Sequence, residues 1–133
     1  MRLTVGIIIA AVCAFIFALP GWSHHSHGNY TTDEFIDLQG VVKELHLVVP
    51  HSWVYLEVKG PNGAEVWALE ATSRTGLEKI GVTRDSIKPG DTVKARCHRL
   101  RDGTNGCLLG FLKAQDGTVK DWDGGEAPAP KDF

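Results

Sequence analysis

The sequence has no run of lysine and arginine residues, and its formal net charge is −2 at pH 7. A protein that binds nucleic acid without sequence preference needs a cluster of cations to neutralise the phosphates. Such a function is therefore not expected. The length of 133 residues leaves room for one domain, because a single hydrophobic core is typical of chains of roughly 100 to 200 residues.

The motifs of common catalytic sites are also missing. The sequence has no H-E-x-x-H helix, no G-x-S-x-G elbow, no glycine-rich phosphate loop and no C-x-x-C redox pair. Ser52 follows His51 directly, but adjacent strand residues point to opposite faces, so the two side chains do not form a catalytic dyad. We predict no catalytic residues and favour a binding protein. The enzymatic alternative is a hydrolase-like or redox enzyme, since an open copper site can carry out oxidative chemistry.

The one long apolar run lies near the N-terminus, over residues 5–19, and follows the positively charged Arg2. Gly21 and Ser23 then supply the small side chains that a signal peptidase requires. We predict a signal peptide over residues 1–23, so that the mature protein is periplasmic or secreted and is not held at a membrane. An uncleaved membrane anchor is the alternative, but it would need about 20 apolar residues.

Cleavage would remove Cys13 and leave two cysteines in a compartment where disulfides persist. Two strand-like segments, residues 92–99 and 106–113, flank an Asp-Gly turn. A hairpin at that turn would place Cys97 nearly opposite Cys107, at the spacing that a disulfide needs. We predict this disulfide, and a shared metal–thiolate site is the alternative.

Strand patterns also occupy the middle of the chain. Residues 38–49 are β-branched and apolar, and Gly40 is of the type that a strand uses where it bends sharply. Residues 53–59 alternate between apolar and polar, and an Asn-Gly turn folds them back onto residues 64–71. The core face of this hairpin is predicted to hold Val54, Leu56, Trp67 and Leu69.

A short helix is predicted from its cap, Ser73, to about Ile80, before a Lys-Pro-Gly-Asp turn and the fourth strand. The order strand, strand, strand, short helix, strand, strand is that of the OB-fold, a small Greek-key barrel. We therefore predict an all-β protein, with a five-stranded OB-like barrel over residues 38–122 and an open sandwich as the alternative. Residues 123–133, rich in proline, glycine and charge, are predicted to be a disordered tail.

A His-rich N-terminal segment, residues 24–37, would begin the mature chain. Residues 24–32 lack an apolar periodicity that could dock them on a core, so we expect them to be mobile unless a ligand orders them. The plainest interpretation is a polar stretch after the signal peptide that keeps this part of the chain soluble and easy to cleave. Short His-rich tracts also bind metals loosely without biological purpose.

The histidines nevertheless form the strongest local signal for chemistry. Cleavage just before His24 would free its α-amine, and this amine and the ring nitrogen could chelate one ion together. Further nitrogens from His25, His27 or His51 would complete a tetragonal set, which favours Cu(II) over Zn(II). The first hypothesis is a copper site at these four histidines. For His51 alone, a turn histidine bonded to nearby backbone is the alternative.

Several short motifs occur along the mature domain: His24-His25-Ser26, Gly40-Val41-Val42, Pro50-His51-Ser52-Trp53, Trp67 with Glu70, and Lys88-Pro89-Gly90-Asp91. Together they resemble a family of small exported bacterial proteins known only as a domain of unknown function. The resemblance implies export and a small β-barrel-like fold, and it implies no established activity. The family commonly has asparagine where this chain has Val49, and an aromatic residue where it has Leu47. A more distant, fold-level likeness is to small periplasmic copper-binding barrels, which carry a metal-facing histidine surface beside a tryptophan.

Trp53, Tyr55 and Glu70 are predicted to share the outward face of the second and third strands. OB-folds bind ligands on this face, often by stacking them on aromatic rings, and the acidic Glu70 argues against a phosphate group. A small organic molecule, a saccharide or a periplasmic partner protein is therefore the alternative to a metal ion. Cross-strand packing without any ligand is the plainer interpretation of the same residues.

Overall fold

The computed structural model describes residues 26–133, so the predicted signal peptide and the side chains of His24 and His25 lie outside the described residues. A 3-10 turn at Ser26–Asn29 precedes the regular elements. These are β1 (Ile36–His46), β2 (Ser52–Gly60), β3 (Gly63–Ala71), α1 (Arg74–Lys79), β4 (Thr92–Arg99), β5 (Gly106–Lys113) and β6 (Val119–Asp121). In this part of the chain no helix is long and apolar enough to cross a membrane.

The five long strands form a closed barrel. β1 pairs antiparallel with β2 and with β4, β2 pairs with β3, and β4 pairs with β5. Parallel pairing of β3 with β5 closes the ring, and the short β6 adds to β5 outside it. This connectivity, with α1 between β3 and β4, confirms the predicted OB-like barrel.

Local sequence signals account for most of the boundaries. The Ser73 side chain caps α1 by accepting a hydrogen bond from the Gly76 amide at 3.2 Å, and Gly81 follows the helix at φ +81°. β1 differs from its prediction, since it begins two residues earlier and ends at His46. The chain leaves the sheet there and turns through Pro50, which has no amide hydrogen with which to continue a ladder.

The core lies inside the ring, and the four side chains predicted for it are all buried. The disulfide between Cys97 and Cys107 is formed, with a Cα–Cα distance of 5.6 Å, and both cysteines are fully buried. It runs diagonally across the hairpin, because the connecting loop spans residues 100–105 and places Cys97 opposite Leu109. Residues 123–133 continue beyond β6, and their predicted disorder stays a prediction.

Replacing Gly40 with alanine is expected to lower the free energy of unfolding by about 1 to 3 kcal/mol, the usual cost of overpacking. A Cβ atom at this position would lie 2.6 Å from the backbone oxygen of Glu57, and backbone cannot move aside as a flexible side chain can. Urea denaturation measures the change. Gly28→Ala is the matched control, because a Cβ there would meet no atom within 4 Å. Equal unfolding midpoints for the two variants would contradict this account of Gly40.

Candidate functional site

Glu70 is a buried carboxylate beside the seam where the barrel closes. On β3 it pairs with Trp53 of β2 on one side and with Leu108 of β5 on the other. Only 3% of its surface is exposed. A carboxylate in such surroundings is costly unless hydrogen-bond donors or positive charges compensate it, so its partners identify the residues that belong to the site.

Two side chains from different parts of the chain meet on this carboxylate. The Tyr30 hydroxyl donates a hydrogen bond to Oε2 at 2.5 Å, and Tyr30 is itself buried. Nδ1 of His51 lies 3.4 Å from Oε1, and 42% of the His51 side chain is exposed. Glu70 thus ties the N-terminal segment and the turn between β1 and β2 to one point.

Backbone contacts fix Tyr30 in this position. The amide of Thr31 donates to the Arg99 carbonyl, and the Arg101 amide donates to the Asn29 carbonyl, each at 2.9 Å. The Arg101 Nε also donates to the Tyr30 carbonyl at 3.0 Å. Residues 29–31 are therefore docked on the barrel by one buried tyrosine, without any apolar periodicity, and the mobility expected for residues 24–32 stays a prediction. In the sequence, the only sign of this docking was that Tyr30 is a single aromatic residue within a polar stretch.

Of the four histidines predicted as metal ligands, the structure describes His27 and His51. His27 is exposed in the 3-10 turn, three residues before Tyr30, and its carbonyl accepts a hydrogen bond from the Tyr30 amide at 3.2 Å. His51 lies between Tyr30 and Glu70 in the sequence and contacts Glu70. Within residues 26–133, no three side chains of histidine, cysteine, aspartate or glutamate come together as a metal site.

The ring of His51 has the surroundings of a metal-binding histidine. Histidines that bind metals usually place their second ring nitrogen against a carboxylate, which fixes the ring and increases its basicity. Here Nδ1 faces Glu70, so Nε2, on the other edge of a partly exposed ring, is the nitrogen that could bind an ion.

Trp53 and Tyr55 lie side by side on the outer face of β2, and both are partly exposed. The Tyr55 ring packs edge-on against His46 at a centroid distance of 5.1 Å, and His46 in turn contacts Glu44 at 2.7 Å. Glu70 shares this face as predicted, but Tyr30 covers its carboxylate. The Glu70 carboxylate is therefore not available to an organic ligand, and the exposed carboxylate beside Tyr55 on this face is that of Glu44.

Replacing Tyr30 with phenylalanine is expected to lower the free energy of unfolding by about 1.5 to 3 kcal/mol at pH 7, the range for a hydrogen bond to a charged group. Burial, and then the hydrogen bond to Glu70, raise the pKa of Tyr30 above its ordinary value of 10.0. Above pH 10 the unfolded chain loses this proton while the folded chain keeps it, so the tyrosine contribution falls as the pH rises.

Urea denaturation of wild type and Tyr30→Phe between pH 7 and pH 11 measures the gap in unfolding free energy between them. It should narrow above pH 10. Tyr55→Phe, on the partly exposed outer face, is the matched control and should change little. A gap that is constant or grows with pH would contradict the burial of a protonated Tyr30 against Glu70.

Comparison with known proteins places the chain in a family. It has no significant match among curated proteins. Among solved structures, it is similar to Rim1, a mitochondrial single-stranded DNA binding protein of S. cerevisiae, with 10% identity and a TM-score of 0.45 over 61% of this chain and 93% of that one. The model of a family of unknown function, DUF6152, matches residues 12–109, which is more than half of the chain. The protein therefore belongs to the DUF6152 family.

Proposed function

We propose that this protein is an exported copper-binding module in which the N-terminal histidines and His51 hold one Cu(II) ion. The observation that carries the proposal is the shared carboxylate of Glu70. Tyr30 docks on it three residues after His27, and His51 faces it from the turn between β1 and β2. Contact of Tyr30 and His51 with one carboxylate supports a site shared by the N-terminal segment and this turn.

The donor set favours copper. Cleavage before His24 would supply an amine and an imidazole in one chelate, and His25, His27 and His51 would supply further nitrogens. Nitrogen donors in a tetragonal arrangement suit Cu(II), and the general order of metal affinities also ranks Cu(II) above Zn(II). The buried disulfide is compatible with a location outside the cytoplasm, where such bonds persist.

The surroundings of the site suit exchange of the ion rather than permanent storage. The side chain of His51 is partly exposed, and His27 is exposed as well. An ion held there remains within reach of a second protein or a small chelator. Buffering of copper or its delivery to a partner is the role that follows from this exposure.

Titration of Cu(II) into the mature protein, against a competing chelator, tests the proposal. Removal of His24, His25 and His27 together, or of His51 alone, should each weaken binding by about tenfold or more, which corresponds to about 1.4 kcal/mol. His98→Ala is the matched control, because its Nδ1 is 2.6 Å from the Glu34 carbonyl and its ring stacks on Phe35. Equal, micromolar or weaker binding by all four proteins would remove the copper function.

The intact mass of the exported protein belongs to the same experiment. A mature chain that begins at His24 carries the amine chelate, whereas a chain cut elsewhere does not. Cleavage at another position, together with unchanged copper affinity, would show that the amine has no part in the site.

A second candidate is a binding module for a saccharide, another organic molecule or a partner protein. Trp53 and Tyr55 favour it, and Val48 and Val49 are 45% and 68% exposed at the adjoining turn. Tryptophan fluorescence during titration with a panel of soluble saccharides tests the first of these ligands. A response that Trp53→Ala abolishes would support this function, since the buried Trp122 remains as a fluorophore in the variant. No response, or one that survives the substitution, would count against it.

A further inference from the structure

A cluster of cations and one aromatic ring covers the outer face of β4 and β5. We call it the β4–β5 basic surface, and it consists of Lys94, Arg96, Phe111 and Lys113. Lys94 pairs with Lys113 across the two strands, and Arg96 pairs with Phe111. Like charges directly opposite each other destabilise a sheet unless something neutralises them. Asp37 of β1 offsets part of the charge of Lys94 and Arg96, and the positive charge that remains favours an anionic occupant.

Two residues of the segment that follows β6 occupy this surface. Arg96 holds the Asp132 carboxylate with two nitrogens, at 2.9 and 3.2 Å, which is the bidentate geometry that arginine uses to recognise carboxylates. The Nζ of Lys113 donates to the Phe133 carbonyl at 2.7 Å. Arg96 also binds Asp37 on β1, so it lies between two carboxylates.

The ring of Phe133 is surrounded by the same cations. Lys94 Nζ, Arg96 Cζ and Lys113 Nζ lie 4.8, 5.2 and 5.3 Å from its centroid, within the range of cation–π attraction. The Phe111 ring lies 6.4 Å away in a tilted arrangement. The surface therefore recognises a carboxylate and an adjacent aromatic ring at the same time.

The near end of the segment is also held. Asp121, which is buried, accepts hydrogen bonds from the amides of Asp123 at 3.1 Å and Ala127 at 3.0 Å. These contacts direct the chain away from β6 before it reaches Arg96. Asp123 and Ala127 thus contact the end of β6, and Asp132 and Phe133 contact β4 and β5.

We propose that the β4–β5 basic surface is a binding site for a partner segment in which an acidic residue is followed by an aromatic residue, and that Asp132 and Phe133 fill it when no partner is bound. A segment of the same chain competes at an effective concentration in the millimolar range, so a partner must bind more tightly than this internal occupant. The surface lies on β4 and β5 and does not depend on the copper function.

Fluorescence anisotropy with a labelled, C-terminally amidated peptide of residues 126–133 tests the proposal. The full chain with Asp132→Asn and Phe133→Ala, called the vacated chain, leaves the surface open. It should bind this peptide at least about tenfold more tightly than the wild type does. Adding Arg96→Gln, or separately Lys113→Gln, should reverse that gain. Lys88→Gln, a change at an exposed lysine outside β4 and β5, is the matched control.

Because Arg96→Gln and Lys113→Gln are made separately, the test remains interpretable if one of the two variants fails to fold. Peptide binding should also weaken as salt is added, because ionic contacts at an exposed surface are screened. Equal peptide affinity for the wild type and the vacated chain would overturn the proposal. The proposal would also be overturned if the higher peptide affinity of the vacated chain persisted after both Arg96→Gln and Lys113→Gln.

Discussion

Removal of the Cys97–Cys107 disulfide is expected to lower the free energy of unfolding by about 3 kcal/mol, since the bond closes a loop with a sequence separation of 10 in the unfolded chain. A small domain depends strongly on such a constraint, because it buries a smaller share of its surface than a large one. Urea denaturation of the oxidised wild type and the Cys97→Ala, Cys107→Ala variant measures the loss.

The reduced wild type is the control for this experiment and should unfold close to the double variant. A loss below about 1 kcal/mol would contradict the expected constraint on the unfolded chain. Loss of the disulfide also bears on the position of Tyr30. The loop that the disulfide closes includes Leu100 and Arg101, and these residues hold Tyr30 in place.

Replacing Glu70 with glutamine is expected to weaken Cu(II) binding by about 10- to 100-fold, the usual effect of removing the carboxylate behind a metal-binding histidine. Glutamine keeps the size of the side chain and an oxygen that can accept from Tyr30. It lacks the negative charge that faces Nδ1 of the His51 ring and orients it. A chelator competition assay measures the change.

Glu65→Gln is the matched control, because Glu65 lies on the same strand and is partly exposed. It should bind copper as the wild type does. Thermal unfolding in the absence of copper confirms that both variants are folded. Unchanged copper affinity in a folded Glu70→Gln protein would show that His51 is not a ligand supported by this carboxylate.

Short-range patterns were enough to predict the fold. Alternation along residues 53–59, the Asn-Gly turn and the Ser73 cap each depend on neighbouring residues, and the structure confirms the hairpin, the helix start and the bounds of β4 and β5. The sequence was less informative about register. The loop between β4 and β5 is longer than a two-residue turn, and that difference makes the disulfide diagonal.

The partners of Glu70 could not be predicted in the same way. Alternation correctly placed Glu70 on the face of Trp53, but burial on that face depends on Tyr30, which is 40 residues away in sequence. The contact of Arg96 with Asp132, 36 residues apart, is likewise a matter of how the closed barrel directs its terminal segments. Periodicity describes one strand at a time and cannot detect a segment that crosses the outside of the sheet.

The proposed copper site requires the N-terminal histidines and His51 to bind the same ion. Proton NMR of the histidine rings in the mature protein, recorded as Cu(II) is added below one equivalent, tests it most directly, because a paramagnetic ion broadens the resonances nearest to it. We expect the rings of His51 and the N-terminal histidines to broaden together, while that of His98 persists. Broadening confined to the N-terminal histidines, with a sharp His51 resonance, would contradict the claim.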